Sequence, residues 1–349
     1  MYRVSTGYAN VLVNTLSAEG LDATALCQEA GLDMRTLSLP AAFCRRSTIY
    51  RLWDLAAHAS GDLDIGLKAY DHVHPGSFQI VGYTMMSSLN LKRALERLVR
   101  FSPLIGTGFS LFFVEEQQNY RLSGLDLQQY DSVKPRQYTD AGLASLLGFC
   151  RWLTGGNLPQ PLSVGFTYLE PEDTSEHQRL FGCPLVFGAA YDSIVFDGGE
   201  LLHPLSMANE ALAILHDSIA EAQLELLVGC SVLGRIRSLI TQRLSLGQGP
   251  YDMESIAAAL NVSKRTLQRA LERNGTQYKD VLSDLRRQMA EFYLCHSHYN
   301  MKHVAYLLGF HDHSSFHKAC SRWFGMPPGQ YRVDDFVLRI EQVKPRLAG

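Results

Sequence analysis

The sequence predicts an α+β N-terminal domain followed by an all-α C-terminal domain that carries two helix-turn-helix units. Strand-forming runs, irregularly mixed with helical patterns, all lie before Pro204. After Pro204 the apolar residues recur only at helical spacing. Charge divides the chain in a similar way: residues 251–349 hold 14 Lys/Arg against 10 Asp/Glu, whereas residues 1–250 hold 18 against 25. A chain of 349 residues has room for about two domains with real cores. With 46% hydrophobic and 19% charged residues it is ordinary globular material.

In the first two-thirds, Ile49, Leu52, Trp53 and Ala56 recur at helical spacing, as do Leu91, Ala94, Leu95 and Leu98. FSLFFV (109–114) and YRLSG (120–124) predict a hairpin around the turn-prone EEQQN. A helical pattern returns over 136–153. LSVGFTYLE (162–170) and SIVFD (193–197) predict further strands, each bounded by Gly, Pro or Asp. Helices and strands do not alternate regularly, which favours α+β over a doubly wound sheet.

Beyond Pro204, the residues Leu205, Ala208, Leu212, Leu215, Ile219, Ala222 and Leu226 step by alternating threes and fours. That is an a/d seam, a narrow apolar stripe offered to another helix. Two readings stay open: the helix lies on its own domain, or it pairs with a second copy of the chain. A Gly-rich break, LSLGQGPYD (244–252), follows, and a domain boundary is expected near Gly247–Pro250.

The C-terminal third is a succession of capped helices. Asp252 caps a helix over 253–260, and Ser263 caps the next over 264–273, with the tight link Asn261-Val262 between them. Ala257, Leu260, Val262, Leu267 and Leu271 supply the apolar lock of a helix-turn-helix. A longer helix runs over about 278–294. The pattern then repeats: a helix over 301–308, the turn Gly309-Phe310, the cap Asp312 and an outer helix over 313–324. Two such outer helices joined by one rigid helix can address two major-groove segments on one face of a duplex.

Residues 231–332 resemble the DNA-binding domain of AraC/XylS-type bacterial transcription regulators. The matching text is IAAALNVSKRTLQRALERNGTQYKDVLSDLRRQMAEFYL, then VAYLLGFHDHSSFHKACSRWFGMPPGQYR. Lys318, Cys320, Ser321 and Pro327 stand where that family usually has Arg, Phe, a base and Ser or Thr. The resemblance implies a base-contacting face of Arg265, Gln268 and Arg269 on the first outer helix. The equivalent face on the second is His313, Ser314, His317 and Lys318. Arg can grip a guanine edge with two hydrogen bonds and Gln an adenine edge, whereas Lys acts as a point charge. Thr266 and the helix N-termini are candidate phosphate anchors. Arg286 is expected to support interhelical packing. Residues 20–205 resemble the arabinose-binding-type N-terminal domain of the branch that contains ornithine-utilisation regulators. This implies a regulatory and oligomerisation domain.

Other chemistry finds little support in the residues. The seven cysteines are scattered, with no C-x-x-C, which argues against a disulfide framework or thiolate zinc site. His311, His313 and His317 share a helical neighbourhood but no acidic metal motif, and His72-x-His74 belongs to a solvated loop. An alkyl-transferring DNA-repair enzyme is the rival reading, and it needs an activated cysteine. No nucleotide-binding or hydrolase motif is present. His74, Phe78, Tyr83, Met85 and Met86 are read as core packing rather than as a pocket.

The expected organisation is a regulatory and oligomerisation domain over 1–203, a helical seam and linker over 204–249, a double helix-turn-helix domain over 250–332 and a tail over 333–349. The expected role is that of a sequence-specific transcription regulator, not an enzyme, needing no cofactor. Helices 264–273 and 313–324 are expected to enter major grooves of double-stranded promoter or operator DNA. Leu205, Leu212, Leu215, Ile219 and Leu226 form the expected homodimer seam. A small-molecule effector or partner at the N-terminal domain and RNA polymerase complete the expected contacts. With neither signal peptide nor apolar span, the expected location is the cytoplasm and not a membrane.

Overall fold

The structure, a computed structural model, describes residues 2–39, 41–126, 134–157, 160–189, 191–228, 232–245, 249–260, 262–296 and 299–332. The chain divides into two compact units, one ending at Leu224 and the other starting at Glu225.

The first unit is α+β, as expected. Its strands are β1 (Arg3–Ser5), β2 (Phe43–Arg45), β3 (Phe109–Glu116), β4 (Asn119–Asp126), β5 (Ser163–Gly165), β6 (Leu185–Val186) and β7 (Asp192–Asp197). β1 and β2 form a small antiparallel pair with Val4 opposite Cys44. The others form one sheet in the order β3-β4-β7-β5-β6, antiparallel except between β5 and β6. Leu122 stands opposite Phe113 on one side and Ile194 on the other, so apolar residues line up across neighbouring strands. The long helix Arg136–Leu153 buries Ala141, Ala144, Leu147 and Phe149 and packs against the 3-10 segment Ile65–His72. Two glycines permit that close approach. A Cβ on Gly66 would collide with the Gln137 carbonyl, and one on Gly148 with the Tyr70 carbonyl.

The hairpin forms, but its turn is only Gln117-Gln118. Glu115, Glu116 and Asn119 join the ladder instead, with the Arg121 guanidinium holding Glu116 at 2.9 Å. The strand expected over 162–170 stops at Gly165. Beyond it, the Thr167 N–H donates to the Asp192 carboxylate at 2.9 Å instead of continuing a ladder. Tyr168 turns its hydroxyl onto buried Asp140 and His177. A side-chain network ends the strand where alternation alone would extend it.

The apolar stripe after Pro204 is shorter than its periodicity indicates. Leu205 precedes the helix and is buried in the first unit, its N–H donating to the Leu89 carbonyl at 3.0 Å. The helix is Glu210–Val228, with Asn209 Oδ1 accepting from Leu212 N at 3.1 Å. One face seats on its own domain through buried Ala213 and Ala220. There Arg97 holds Asp217 through two nitrogens, at 2.9 and 2.8 Å, and the Ser87 hydroxyl meets His216 at 3.1 Å. Leu212, Leu215, Ile219, Ala222 and Leu226 lie on the opposite face and are exposed, Leu226 at 80%. Leu205 and Ala208 therefore leave the seam, and the rest of it is exposed among the described residues.

The second unit is wholly helical among its described residues: Val232–Ser245, Met253–Ala259, Lys264–Arg273, Tyr278–His296, Met301–Leu307 and His313–Phe324. Helix Val232–Ser245 lies in the stretch 204–249, where a helical seam and linker are expected. Ile236, Ile240 and Leu244, spaced by four, are fully buried as it packs on Tyr278–His296, and Arg237 pairs with Asp284 at 2.8 Å. The second unit thus begins upstream of the expected boundary near Gly247–Pro250. Gly247, Asn261 of the first turn and the tail 333–349 lie outside the described residues.

Candidate nucleic-acid interface

Each outer helix starts on a side-chain cap. Ser263 Oγ accepts from Thr266 N at 3.1 Å and Asp312 Oδ1 from Ser315 N at 2.7 Å. The inner helices are capped likewise, by Asp252 on Ser255 N (2.8 Å) and by Asn300 on His303 N (2.8 Å). The turns repeat too: Val262 N donates to Ala257 O at 3.0 Å, and Phe310 N to Ala305 O at 2.9 Å. Inner caps are 48 residues apart and outer caps 49, so the second turn is one residue longer. Leu267 and Leu271 anchor the first outer helix, and Phe316, Ala319 and Cys320 the second.

Polar ties to the connecting helix fix the second helix-turn-helix, among them the Tyr331 hydroxyl donating to Glu291 at 3.1 Å. Arg286 donates to the Gly309 carbonyl at 2.8 Å, its guanidinium lying between the Tyr251 and Phe310 rings at 5.7 and 4.8 Å. Burial pulls its pKa below the usual guanidinium value. Gly309 has φ +68° and a Cβ there would strike the Tyr251 ring, so both conformation and space require glycine. The Trp323 indole N–H donates to Ser283 at 3.1 Å. Arg332 donates to the carbonyls of Leu294 and Tyr299 at 2.9 and 2.8 Å, capping the end of the connecting helix. The Arg332 role and the Arg237–Asp284 pair are missed by sequence reasoning. Arg332 lies 38 residues beyond Leu294, so no local signal at the end of the connecting helix finds it.

The outward faces differ. On the first helix Arg265, Thr266, Gln268 and Arg269 are exposed. Among the described residues Arg265 and Arg269 enter no ion pair, whereas neighbouring Lys264 is held by Glu254. Gln268 Nε2 donates to Glu272 at 3.2 Å along the helix. The Thr266 hydroxyl lies 2.8 Å from Ser263 Oγ; it can accept that proton and still donate outward. On the second helix His313, Ser314 and Lys318 are exposed, but His317 is half-buried. Its ring packs 4.2 Å from that of His313, with a buried Nε2 that has no hydrogen-bond partner among the described residues. Burial, then the neighbouring His313, pulls the His317 pKa down. No group of three metal-binding side chains is found among the described residues.

The N-terminal unit shows no activated thiol among its described cysteines. Burial pushes Cys44 and Cys183 up to about 11 and Cys150 up to about 12, and in the second unit Cys320 also reaches about 12. Of the residues read as core, Phe78 and Met85 are buried, Met86 is half-buried, and Tyr83 and His74 are exposed. Phe78 also borders a cavity.

Residues 20–205 match the arabinose-binding domain of AraC transcription regulator, N-terminal, and residues 256–333 match a helix-turn-helix domain. The ornithine utilization regulator of Pseudomonas aeruginosa is 28% identical over 331 residues, covering 94% of this chain and 96% of that protein. The HTH-type transcriptional regulator VirS of Mycobacterium tuberculosis is 24% identical, covering 89% and 94%. The crystal structure of the transcriptional regulator CdpR from Pseudomonas aeruginosa aligns with 93% of this chain and 98% of that one, at TM-score 0.48 and 19% identity. The two matched domains, in this order over most of the chain, carry the assignment: this protein belongs to the AraC family of helix-turn-helix transcription regulators and is not an enzyme.

Proposed function

We propose that this regulator reads a specific operator mainly through helix 264–273 and steadies itself on the duplex through helix 313–324. One observation carries the reading: two capped outer helices of matching backbone present faces of unequal chemistry. Arg265, Gln268 and Arg269 address base edges in one major groove, with Thr266 and the helix N-terminus on phosphate. His313, Ser314, His317 and Lys318 face the next groove, where Lys318 anchors phosphate. Partly sequestered His317 contributes least.

The chain acts as a homodimer through helix 210–228. Supporting this, Leu212, Leu215, Ile219 and Leu226 are exposed on the face turned away from the domain. Like-on-like packing of this stripe gives a two-fold pair that engages repeated half-sites. The domain over 1–203 responds to a small-molecule effector or a partner, and RNA polymerase is the target on promoter DNA. The site of action is the cytoplasm, in keeping with the absence of any helix long and apolar enough to cross a membrane among the described residues.

Selection of bound genomic fragments by the full-length protein, followed by anisotropy on the selected duplex, tests DNA reading. Random recovery of fragments would overturn it. The double variant Leu212→Glu, Ile219→Glu tests the dimer by sedimentation. A folded double variant that remains dimeric would assign the contact to another surface.

A further inference from the structure

A cavity of about 180 Å³ lies inside the first unit, between the β3-β4 face of the sheet and the helices Thr6–Ala18 and Arg136–Leu153. Its walls are mostly apolar, among them Leu98, Ile105, Phe109, Leu111, Leu143 and Leu146. Aromatic rings close one side, with Tyr8 at 6.5 Å from Phe78 and 6.4 Å from Tyr138 between centroids. Dry apolar spaces of about 150 Å³ take up benzene, so this one admits a single ring with a small substituent.

The polar groups at its edge are engaged with the protein itself. Lys134 pairs with Asp192 at 2.6 Å, and the same carboxylate accepts from Thr139 at 3.2 Å and from Thr167 at 2.9 Å. The Arg46 guanidinium donates to the Gly108 carbonyl at 3.1 Å and lies over the Tyr2 and Tyr50 rings. A charged ligand would have to displace one of these partners or be buried uncompensated. Among the described residues the lining holds no Asn, Gln, Glu or His. A pentose, with hydroxyls all round, would leave several of them desolvated without a partner. The Tyr8 hydroxyl already interacts with Ser145, which leaves little at this lining for a ligand with several hydroxyls.

A glycine points the same way. Gly142 borders the cavity in the middle of helix Arg136–Leu153, where glycine is less favourable than alanine. Gly148 in the same helix is required by contact with Tyr70. At Gly142, however, an added Cβ would meet nothing nearer than the Tyr8 hydroxyl, at 3.8 Å. Neighbouring atoms do not demand a glycine there. The missing side chain leaves the cavity wall open at this point.

We propose that this cavity binds a small, uncharged, monocyclic aromatic molecule bearing at most one hydroxyl. That this molecule serves as the effector rests on the regulatory reading above. The test uses full-length protein and 4-fluorotoluene, followed by fluorine NMR, with 4-fluorobenzoate and L-arabinose as comparison ligands. Saturable 4-fluorotoluene binding, at least about tenfold tighter than either comparison ligand, is expected. Gly142→Leu should weaken it at least about tenfold without lowering the melting temperature. If Gly142→Leu does not fold, Gly142→Ala, which adds one methyl group to open space, should still weaken binding with an unchanged circular dichroism spectrum. Absent 4-fluorotoluene binding, binding indifferent to these variants, or preference for benzoate or arabinose would overturn the site. Operator affinity with and without saturating probe separates the two readings. Unchanged affinity alongside intact probe binding removes the effector role and leaves the site. An effector acting irrespective of Gly142→Leu keeps the regulatory reading and overturns the assignment of this cavity.

Discussion

In the first helix-turn-helix the outer helix starts at the neutral cap Ser263 and exposes Lys264, Arg265, Arg269 and Arg273. In the second it starts at the anionic cap Asp312 and exposes His313, Lys318 and Arg322. The caps, turn bonds and apolar anchors correspond almost one for one. Backbone shape is set by buried and capping positions, which both units keep, while outward positions, whose few contacts such as Lys264–Glu254 and His313–His317 differ between the units, are free to diverge. Two similar scaffolds can therefore perform unequal work on one duplex.

The largest expected effect tests whether the scaffolds stand independently. Phe316 is fully buried, and Phe316→Ala should cost about 3–5 kcal/mol. Amide hydrogen exchange on the full chain should show protection lost over His313–Phe324 and kept over Lys264–Arg273. Equal loss in both helices would make the two units one cooperative block.

Next comes base reading. Arg269→Ala should cost about 1–3 kcal/mol on the selected operator and relax preference at one base pair. Anisotropy titrations against single-base variants provide the measurement. If sequence preference survives Arg269→Ala intact and collapses on Lys318→Ala, the division of labour runs the other way.

The caps should weigh about equally. Ser263→Ala and Asp312→Ala each remove a side-chain acceptor from a helix N-terminus and should each cost about 1 kcal/mol in urea unfolding. A much larger loss for one cap would show that the two turns are not equivalent. Lys318→Ala should weaken specific and random duplex alike and reduce the salt slope of binding by about one.

The smallest effect belongs to His317, whose pKa lies below the ordinary 6.5. Below about 6.5 the unfolded chain takes up this proton more readily than the folded one, so stability falls as pH drops through that range. His317→Gln should flatten the decline of melting temperature between about pH 7 and 5, and a slope unchanged by the substitution would show that His317 is not its source.

The two outer helices and helix Arg136–Leu153 were legible in the sequence to the residue, because their signals are local. Ser263 and Asp312 bond to N–H groups three residues on, and an apolar stripe repeats within one turn. The same stripe rule carried the seam too far. Leu205 keeps the helical phase but spends its N–H on Leu89, a partner far away in the chain. Likewise FTYLE offers alternation, yet Tyr168 is drawn to Asp140 of helix Arg136–Leu153 and His177 of helix Ser175–Phe181. The outward arginines were legible from their spacing and the family resemblance; the partial burial of His317 was not.

The sequence by itself determined the α+β and all-α division, the capped helices and the repeated helix-turn-helix pattern, since these arise from hydrogen bonds and periodicities a few residues long. Tertiary structure alone decided which face of helix 210–228 is covered, where helix 232–245 packs, and that Gly142 borders an open cavity while Gly148 answers a contact. Burial and empty space depend on residues that are distant in sequence and near in space, and no local pattern encodes them.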